Sequence, residues 1–288
     1  MIDRVVLTDR AYISVQTFGH GPTVVLVPGL AGRGSFWDPL IQALQPRFRL
    51  LTYDHRGAGL SSFTDTSYSM AAMTADLLQI LERCTEPPVM LVGHSTGGAI
   101  AQRLAIAHPE LVSRLIVASS WAKPCEYFRR LFTLRIRILE GLGIQAFEQH
   151  SRLLAYPPTW IGRKPRTHPR QSGDRRRPLE VTILLRKLRA LLQHDVESRL
   201  NAIRSPTMVA VAADDAVTPM HLSHEIAARI RLARLKVFPG GGHFMLHVHP
   251  AAYAAEVARF LAQDVRHQKS RQPRVSGSAT GPPTRFAD

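Results

Sequence analysis

Three side chains in this sequence are of the types that together make a serine alcohol reactive. Ser95, Asp215 and His243 occur in that order, and each comes shortly after an apolar run typical of a buried strand. A serine alcohol is a poor nucleophile at neutral pH and needs an adjacent base, usually a histidine. The histidine needs a carboxylate that fixes its tautomer and stabilises the imidazolium. The order and context predict nucleophilic acyl transfer by these three residues.

The segment around Ser95 has the pattern of a sharp turn between a strand and a helix. Apolar residues 89–92 precede Gly93-His94-Ser95-Thr96-Gly97, and residues 99–105 are typical of a helix. A serine at such a junction takes a strained backbone conformation, which the flanking glycines permit because they have no Cβ atom. The helix N-terminus favours negative charge near the hydroxyl. The alternative is a glycine-rich turn with an incidental serine.

Strand and helix patterns alternate up to residue 120 and again after residue 200, which predicts an α/β fold with a mostly parallel sheet covered by helices on both faces. The sequence predicts strands at residues 11–18, 23–27, 48–53, 89–92, 115–118, 207–211 and 235–238. We therefore assign residues 1–120 and 201–263 to one α/β core.

Residues 121–200 show helical patterns only, and we interpret them as a helical cap over the catalytic edge of the sheet. Further helices are predicted near Ile144 and Phe147 and over residues 179–192. The alternative is a helical subdomain with no role at the site. The apolar face of the first cap helix is predicted from its spacing to be Tyr127, Leu131, Leu134, Ile138 and Leu142.

The 288-residue chain has a net charge of +15, which raises the question of nucleic-acid binding. Ten of these charges lie in residues 163–178 and 265–288, which are rich in arginine and proline or in glycine and serine. This composition is typical of mobile segments, and we expect residues 264–288 to be a disordered basic tail. The location of the charge argues against a specific nucleic-acid site, although nonspecific adhesion to polyanions at low salt is compatible with it.

Other features restrict the class of protein. The sequence has no apolar run near the roughly 18 residues that span a bilayer, and its first residues do not resemble a signal peptide. Cys84 and Cys125 fit neither a metal-binding spacing nor a disulfide framework. We therefore expect a cytoplasmic protein without a bound metal or a membrane partner.

Three more motifs accompany the Ser95 turn. They are Asp54-His55-Arg56-Gly57-Ala58-Gly59-Leu60-Ser61, Asp215 four residues before Pro219, and Gly242-His243 with Pro250. Together the four motifs resemble the α/β-hydrolase family over about residues 10–263, and Asp215 matches the acid loop of that family better than Asp214 does.

The resemblance implies an eight-stranded α/β-hydrolase fold in which Ser95 is the nucleophile, Asp215 the acid and His243 the base, without metal or organic cofactor. His94, His247 and His249 fit the base role less well, and the alternative for His243 is a loop histidine beside a glycine turn.

The chain departs from this family where an oxyanion hole is expected. The family usually has His-Gly after its third strand, whereas this chain has Pro28-Gly29. Because the hole is built from backbone N–H groups, loss of the histidine side chain need not abolish it. By position, the two donors are the N–H groups of Leu30 and Thr96.

Within the family, residues 28–37, 53–59 and 129–160 resemble the aminoacrylate (carbamate) hydrolases of pyrimidine degradation and, next, the 3-oxoadipate enol-lactonases. The resemblance implies hydrolysis of a small-molecule ester, amide, carbamate or lactone through an acyl-enzyme. Alternatives are a C–C bond hydrolase or perhydrolase with the same three residues, or a non-catalytic binding protein. A homodimer is compatible with the sequence but does not follow from it. For Trp37, Trp121 and Trp160, a place in the acyl pocket and packing in the core are both open.

Overall fold

The fold is built on an eight-stranded sheet. The computed structural model describes residues 2–7, 9–64, 66–163 and 178–263. The strands are β1 (Ile2–Val6), β2 (Tyr12–Phe18), β3 (Thr23–Val27), β4 (Arg49–Tyr53), β5 (Val89–His94), β6 (Val112–Ala118), β7 (Thr207–Ala212) and β8 (Ala233–Phe238). Their order in the sheet is β1-β2-β4-β3-β5-β6-β7-β8. The β1–β2 and β2–β4 pairs are antiparallel and the other pairs are parallel, which confirms the predicted mostly parallel sheet.

Helices cover both faces of the sheet, because side chains alternate between the faces along each strand. Val24 and Leu26 of β3 belong to the core on one face, and Val25 and Val27 to the core on the other. The first face is covered by α1 (Asp38–Leu44), α8 (Met245–Val248) and α9 (Pro250–Leu261), and the second by α2 (Met70–Cys84), α3 (Thr96–Ala107) and α7 (Met220–Arg229). Every residue of β5 and β7 is buried, as two-sided covering requires.

The described residues between β6 and β7 form three α-helices: α4 (Glu126–Ala155), α5 (Pro158–Arg163) and α6 (Pro178–Leu191). Short 3₁₀ turns complete the described elements at Gly34–Trp37, Pro109–Leu111 and Glu197–Ala202. Helix α6 packs against α4. This segment therefore has no strand among its described residues.

Helix α4 doubles back on itself at Gly143. This glycine has a φ of +79° and a ψ of −178°, outside the helical region. The Arg135 Nη2 donates a hydrogen bond of 2.9 Å to the Ser151 Oγ. A straight helix would separate residues sixteen positions apart by about 24 Å, so the two parts, residues 126–142 and 144–155, form a hairpin with Gly143 at its tip.

The predicted apolar face of α4 is partly wrong. Tyr127, Leu134 and Leu142 are 44%, 51% and 74% exposed. The buried face is rotated by about one residue and carries Phe128, Leu131, Phe132, Arg135 and Leu139. The prediction failed because it followed apolar residues alone, whereas the buried face includes an arginine.

The two basic segments that the sequence singles out fall largely outside the described residues, at 164–177 and 264–288. Within the described part of the chain, no helix has both the length and the apolar character needed to cross a bilayer. Cys84 and Cys125 are free thiols.

Candidate active site

Ser95 stands at the tight turn between β5 and α3, with a φ of +53° and a ψ of −118°. Its N–H donates to the Ala118 carbonyl (2.8 Å), and the Ser120 hydroxyl donates to its carbonyl (2.9 Å). A Cβ on Gly93 would lie 2.4 Å from the Gly97 carbonyl oxygen, so the backbone of the turn would have to shift to admit it. The turn that holds the Ser95 side chain therefore depends on the close approach of backbone at its flanking glycines.

His243 and Asp215 form a buried hydrogen-bonded pair. The His243 Nδ1 lies 2.9 Å from Oδ2 and 3.1 Å from Oδ1 of Asp215. Since a carboxylate accepts and does not donate when ionised, Nδ1 carries the proton and Nε2 has a free lone pair. The side chain of His243 is 5% exposed and that of Asp215 is fully covered.

The Asp215 carboxylate is held by further donors. The N–H groups of Val217 and Thr218 each donate to Oδ1 at 2.9 Å, and the Thr218 hydroxyl donates to Oδ2 at 2.9 Å. Burial raises the pKa of Asp215, but the charge of His243 and the hydrogen bonds of His243 and Thr218 lower it more, so the pKa lies below its usual value. Asp215 therefore stays ionised at neutral pH.

Ser95 and His243 line one cavity of about 560 Å³. The sheet side of this cavity includes Gly29, Leu30, Ser95, Thr96 and His243. The helical side includes Phe132, Arg135, Phe147, Tyr156 and Trp160. The cavity thus lies between the carboxyl edge of the sheet and helices α4 and α5.

Leu30 and Thr96 are both placed beside Ser95. Thr96 is the first residue of α3, so its N–H has no acceptor within the helix. A Cβ on Gly29 would lie 3.5 Å from the Ser95 Cβ, which shows how closely the loop before Leu30 approaches the serine. Both N–H groups belong to residues of the cavity wall, where an oxyanion formed at Ser95 would lie.

The loop that carries Leu30 is anchored by residues 54–61. The His55 Nε2–H donates to the Pro28 carbonyl (2.9 Å), and the His55 N–H donates to the Gly32 carbonyl (2.7 Å). The Asp54 carboxylate accepts from the Gly34 N–H at 2.8 Å. Pro28 therefore contributes its carbonyl to the anchor, so the absence of a histidine at this position leaves the loop tied at both ends.

The other nearby histidines have structural partners. The His94 Nε2–H donates to the His243 carbonyl (2.8 Å), and the His247 Nε2–H donates to the Phe36 carbonyl (3.0 Å). Burial first, and then the neighbouring charge of His243, lower the pKa of His94 to about 3, so it is neutral. His94 therefore supports the base loop.

The three tryptophans occupy different places. Trp160 lies in the cavity wall, stacked on Tyr156 with ring centroids 4.1 Å apart. Trp37 and Trp121 are fully buried in the two cores, and Trp121 packs on Phe128. Of the two places left open for each tryptophan, Trp160 therefore takes the cavity wall, whereas Trp37 and Trp121 take the core because the elements that bear them turn their side chains into the protein interior.

Several cavity residues were not predicted from the sequence: Phe36, Phe132, Arg135, Phe147, Tyr156 and Phe244. Of these, only Arg135 could have been found from the sequence. It is a charged residue that shares an i, i+3, i+4 spacing with the apolar residues Phe128, Leu131 and Phe132, which is unusual for a side chain exposed to solvent. Among the described residues, no group of three or more histidine, cysteine, aspartate or glutamate side chains is arranged to hold a metal ion.

The sequence of this chain is similar to those of known hydrolases. A family model described as the alpha/beta hydrolase fold matches residues 22–250. The chain is 34% identical over 242 residues to a protein named "Putative carbamate hydrolase RutD" from Caulobacter sp. (strain K31), covering 83% of this chain and 90% of that one. The protein of the same name from Rhizobium rhizogenes is 34% identical over 245 residues, covering 83% and 92%.

Two solved structures extend the comparison. A hydrolase from Pseudomonas aeruginosa PA01 has a TM-score of 0.77 at 25% identity, covering 91% of this chain and 98% of that one. The enol-lactonase from Burkholderia xenovorans LB400 has a TM-score of 0.80 at 20% identity, covering 91% and 100%, a likeness of fold. The family model and the two relatives confirm the predicted resemblance to the α/β hydrolases and to the carbamate hydrolases, and the solved structures confirm the fold.

Proposed function

The chain belongs to the α/β-hydrolase fold family, and from that premise we propose that it is a serine hydrolase that cleaves a small ester, amide, carbamate or lactone through an acyl-enzyme on Ser95. The observation that carries the proposal is the shared cavity of Ser95 and His243, with the His243 Nδ1 2.9 Å from the Asp215 carboxylate. This arrangement leaves Nε2 of His243 free to act as the base.

The first half-reaction makes the acyl-enzyme. The His243 Nε2 takes the proton of the Ser95 hydroxyl as its oxygen attacks the substrate carbonyl carbon. The resulting imidazolium is stabilised by Asp215, which is ionised and fully hydrogen-bonded. When the tetrahedral intermediate collapses, the imidazolium gives this proton to the departing alcohol, amine or, in a lactone, ring oxygen.

The oxyanion and the second half-reaction use the same groups. The N–H groups of Leu30 and Thr96 donate to the carbonyl oxygen as it becomes negative, and removing one such donor typically costs about 3–4 kcal/mol of transition-state stabilisation. Water then attacks the acyl carbon and loses its proton to His243, which returns the proton to the Ser95 oxygen as the acid is released.

The carbamate group is the first substrate class to test within this range. The support is the name of the relatives at 34% identity over most of both chains. C–C bond hydrolysis and perhydrolysis are alternatives on the same three residues.

A substrate panel with one inactive variant tests the proposal. The panel comprises p-nitrophenyl acetate, short alkyl esters, lactones and carbamates. We expect the wild-type protein to turn over at least one class, and Ser95→Ala to lose at least about 10⁴-fold in kcat. Ser198→Ala is the matched control, because Ser198 is exposed on the 3₁₀ turn Glu197–Ala202. Equal turnover in both variants would exclude Ser95 as the nucleophile.

A further inference from the structure

The cavity wall contains a buried cation that the proposed reaction does not use. Arg135 lies in the middle of α4 and is 7% exposed as a residue. Its guanidinium carbon lies 4.9 Å from the ring centroids of both Phe132 and Phe147. All three residues line the cavity that holds Ser95. The two rings occupy space around the guanidinium and limit the directions from which another group can reach it.

The hydrogen bonds of this guanidinium are incomplete. A guanidinium has five N–H donors. Nη2 donates to the Ser151 Oγ at 2.9 Å, and the buried Nε has no acceptor among the described residues. The Ser151 hydroxyl in turn donates to the Phe147 carbonyl at 2.6 Å. Ser151 therefore orients the guanidinium but satisfies only one of its donors.

No described residue supplies a counter-charge to this guanidinium. Burial is the cause that lowers the pKa of Arg135 to about 10, and no described carboxylate contributes to raise it. The group is still a cation at neutral pH. Glu148, the carboxylate among the cavity residues of α4, is exposed. The neighbouring His150 has a pKa lowered first by burial and then by the charge of Arg135, so it is neutral.

An uncompensated buried charge is destabilising unless a partner of opposite charge joins it. The planar fork of a guanidinium matches the two oxygens of a carboxylate. Arg33 and Arg152 also line the cavity, but Arg33 is exposed and Arg152 half-buried, so solvent hydrates them better. Of these three cations, Arg135 therefore gains most from a ligand that supplies a negative charge and hydrogen-bond acceptors.

We propose that the substrate carries a carboxylate that binds Arg135 while Ser95 attacks a carbonyl of the same molecule. The proposal rests on the proposed function, and it narrows the substrate class to anionic acyl compounds small enough for a cavity of about 560 Å³. Arg135 is then a specificity-determining residue on the helical side of the cavity.

Pairs of esters of equal length, one anionic and one neutral, test whether Arg135 binds a carboxylate of the substrate. Methyl hydrogen succinate is compared with methyl butanoate, and methyl hydrogen glutarate with methyl pentanoate, so that a carboxylate replaces a methyl group. Hydrolysis is followed by pH-stat titration, and the quantity measured is the ratio of kcat/KM for the anionic ester to that for its neutral partner. In Arg135→Met we expect this ratio to fall about 10- to 100-fold, the usual range for a hydrogen bond to a charged group.

Arg137→Met is the matched control, because Arg137 is an exposed arginine two positions along the same helix and the variant has the same net charge. We expect Arg137→Met to keep the wild-type ratio. If Arg135→Met does not give the wild-type circular dichroism spectrum, Arg135→Lys is used, which keeps the charge but lacks the fork. An equal ratio in the Arg135 and Arg137 variants overturns the proposal.

A binding measurement separates this inference from the proposed function. Titration calorimetry of Ser95→Ala with methyl hydrogen glutarate and methyl pentanoate does not depend on turnover. At least tenfold tighter binding of the anionic ester, lost when Arg135→Met is added, supports the carboxylate site even if no ester is hydrolysed. Equal affinities for the two esters overturn it even if the Ser95 chemistry is established.

Discussion

The sheet side of the cavity is held by hydrogen bonds, whereas the helical side is held largely by ring contacts. On the sheet side, Asp215 accepts from His243, Val217 and Thr218, and His55 ties the loop before Leu30. On the helical side, Tyr156 stacks on Trp160 at 4.1 Å and meets Phe244 edge-on at 5.2 Å, and Arg135 lies against two phenylalanines.

This difference separates chemistry from recognition. Hydrogen bonds are directional and fix the positions of reacting atoms, which transition-state stabilisation requires. Ring packing tolerates changes of size and shape, so the helical side can differ between proteins that keep the same reaction. The two sides still touch: the Tyr127 hydroxyl donates to the Ala216 carbonyl beside Asp215 (2.6 Å), and the Phe244 N–H donates to the Ala155 carbonyl (3.3 Å).

Among the variants that test this difference between the two sides of the cavity, the largest loss of activity is expected from a change at the Asp215 carboxylate. Asp215→Asn should lower kcat by about 10⁴-fold, because an amide can donate to Nδ1 and so favours the wrong tautomer of His243. Steady-state kinetics on the best ester of the panel measures the loss. Asp195→Asn, at an exposed position, should have wild-type kinetics. A loss of less than tenfold in Asp215→Asn would show that the hydrogen-bonded side does not control the chemistry.

A pair of glycine-to-alanine variants contrasts the packing of the two sides. A Cβ on Gly97 would lie 2.1 Å from the Val27 carbonyl oxygen, whereas a Cβ on Gly141 of α4 meets nothing within 4 Å. We expect Gly97→Ala to lower the free energy of unfolding by about 3 kcal/mol, because β3 must shift. Gly141→Ala should raise it by about 0.5–1 kcal/mol through helix propensity. Urea unfolding measures both free energies. Changes of the same sign in the two variants would show that the two sides of the cavity do not differ in how tightly they pack at these glycines.

Acid is expected to lower the free energy of unfolding by a smaller amount, through histidines buried on the sheet side. Burial first, and then the charge of Lys187, lower the pKa of His55 to about 3, below the ordinary 6.5 of the unfolded chain. Between these values only the unfolded state binds the proton, so stability falls as the pH falls. At pH 5 the loss is about 2 kcal/mol for this one histidine.

Urea unfolding at pH 7 and pH 5 tests this linkage. His55→Asn should lose about 2 kcal/mol less than the wild-type protein between the two values, since it lacks the titrating group. His20→Asn, in the exposed turn before β3, should lose as much as the wild type. An identical loss in His55→Asn and wild type would contradict the linkage.

The two sides of the cavity were also unequally predictable from the sequence. Ser95, Asp215 and His243 each follow a strand, and strand ends in a parallel sheet meet at one edge, so short local patterns were enough to indicate a common location. The strand β1 escaped prediction from its own residues, because Ile2–Val6 is short and interrupted by charge.

The helical side depends on features that a local pattern does not contain. The apolar spacing of α4 indicated a face rotated by about one residue from the buried one, since Arg135 takes a buried position that a count of apolar residues passes over. The places of Trp37, Trp121 and Trp160 depend on which element each side chain packs against. Residue type does not distinguish them, since all three are tryptophans. Most of the lining on the helical side therefore became visible only in three dimensions.

The bend at Gly143 has a consequence for how this protein can change. Phe132 and Arg135 come from one arm of the α4 hairpin, and Phe147 and Ser151 from the other, so the gap between the arms is governed by the torsion angles of a single half-buried glycine. A substitution there can widen or narrow the compartment without moving any reacting atom. Divergence in substrate size can thus begin at a residue that touches no substrate.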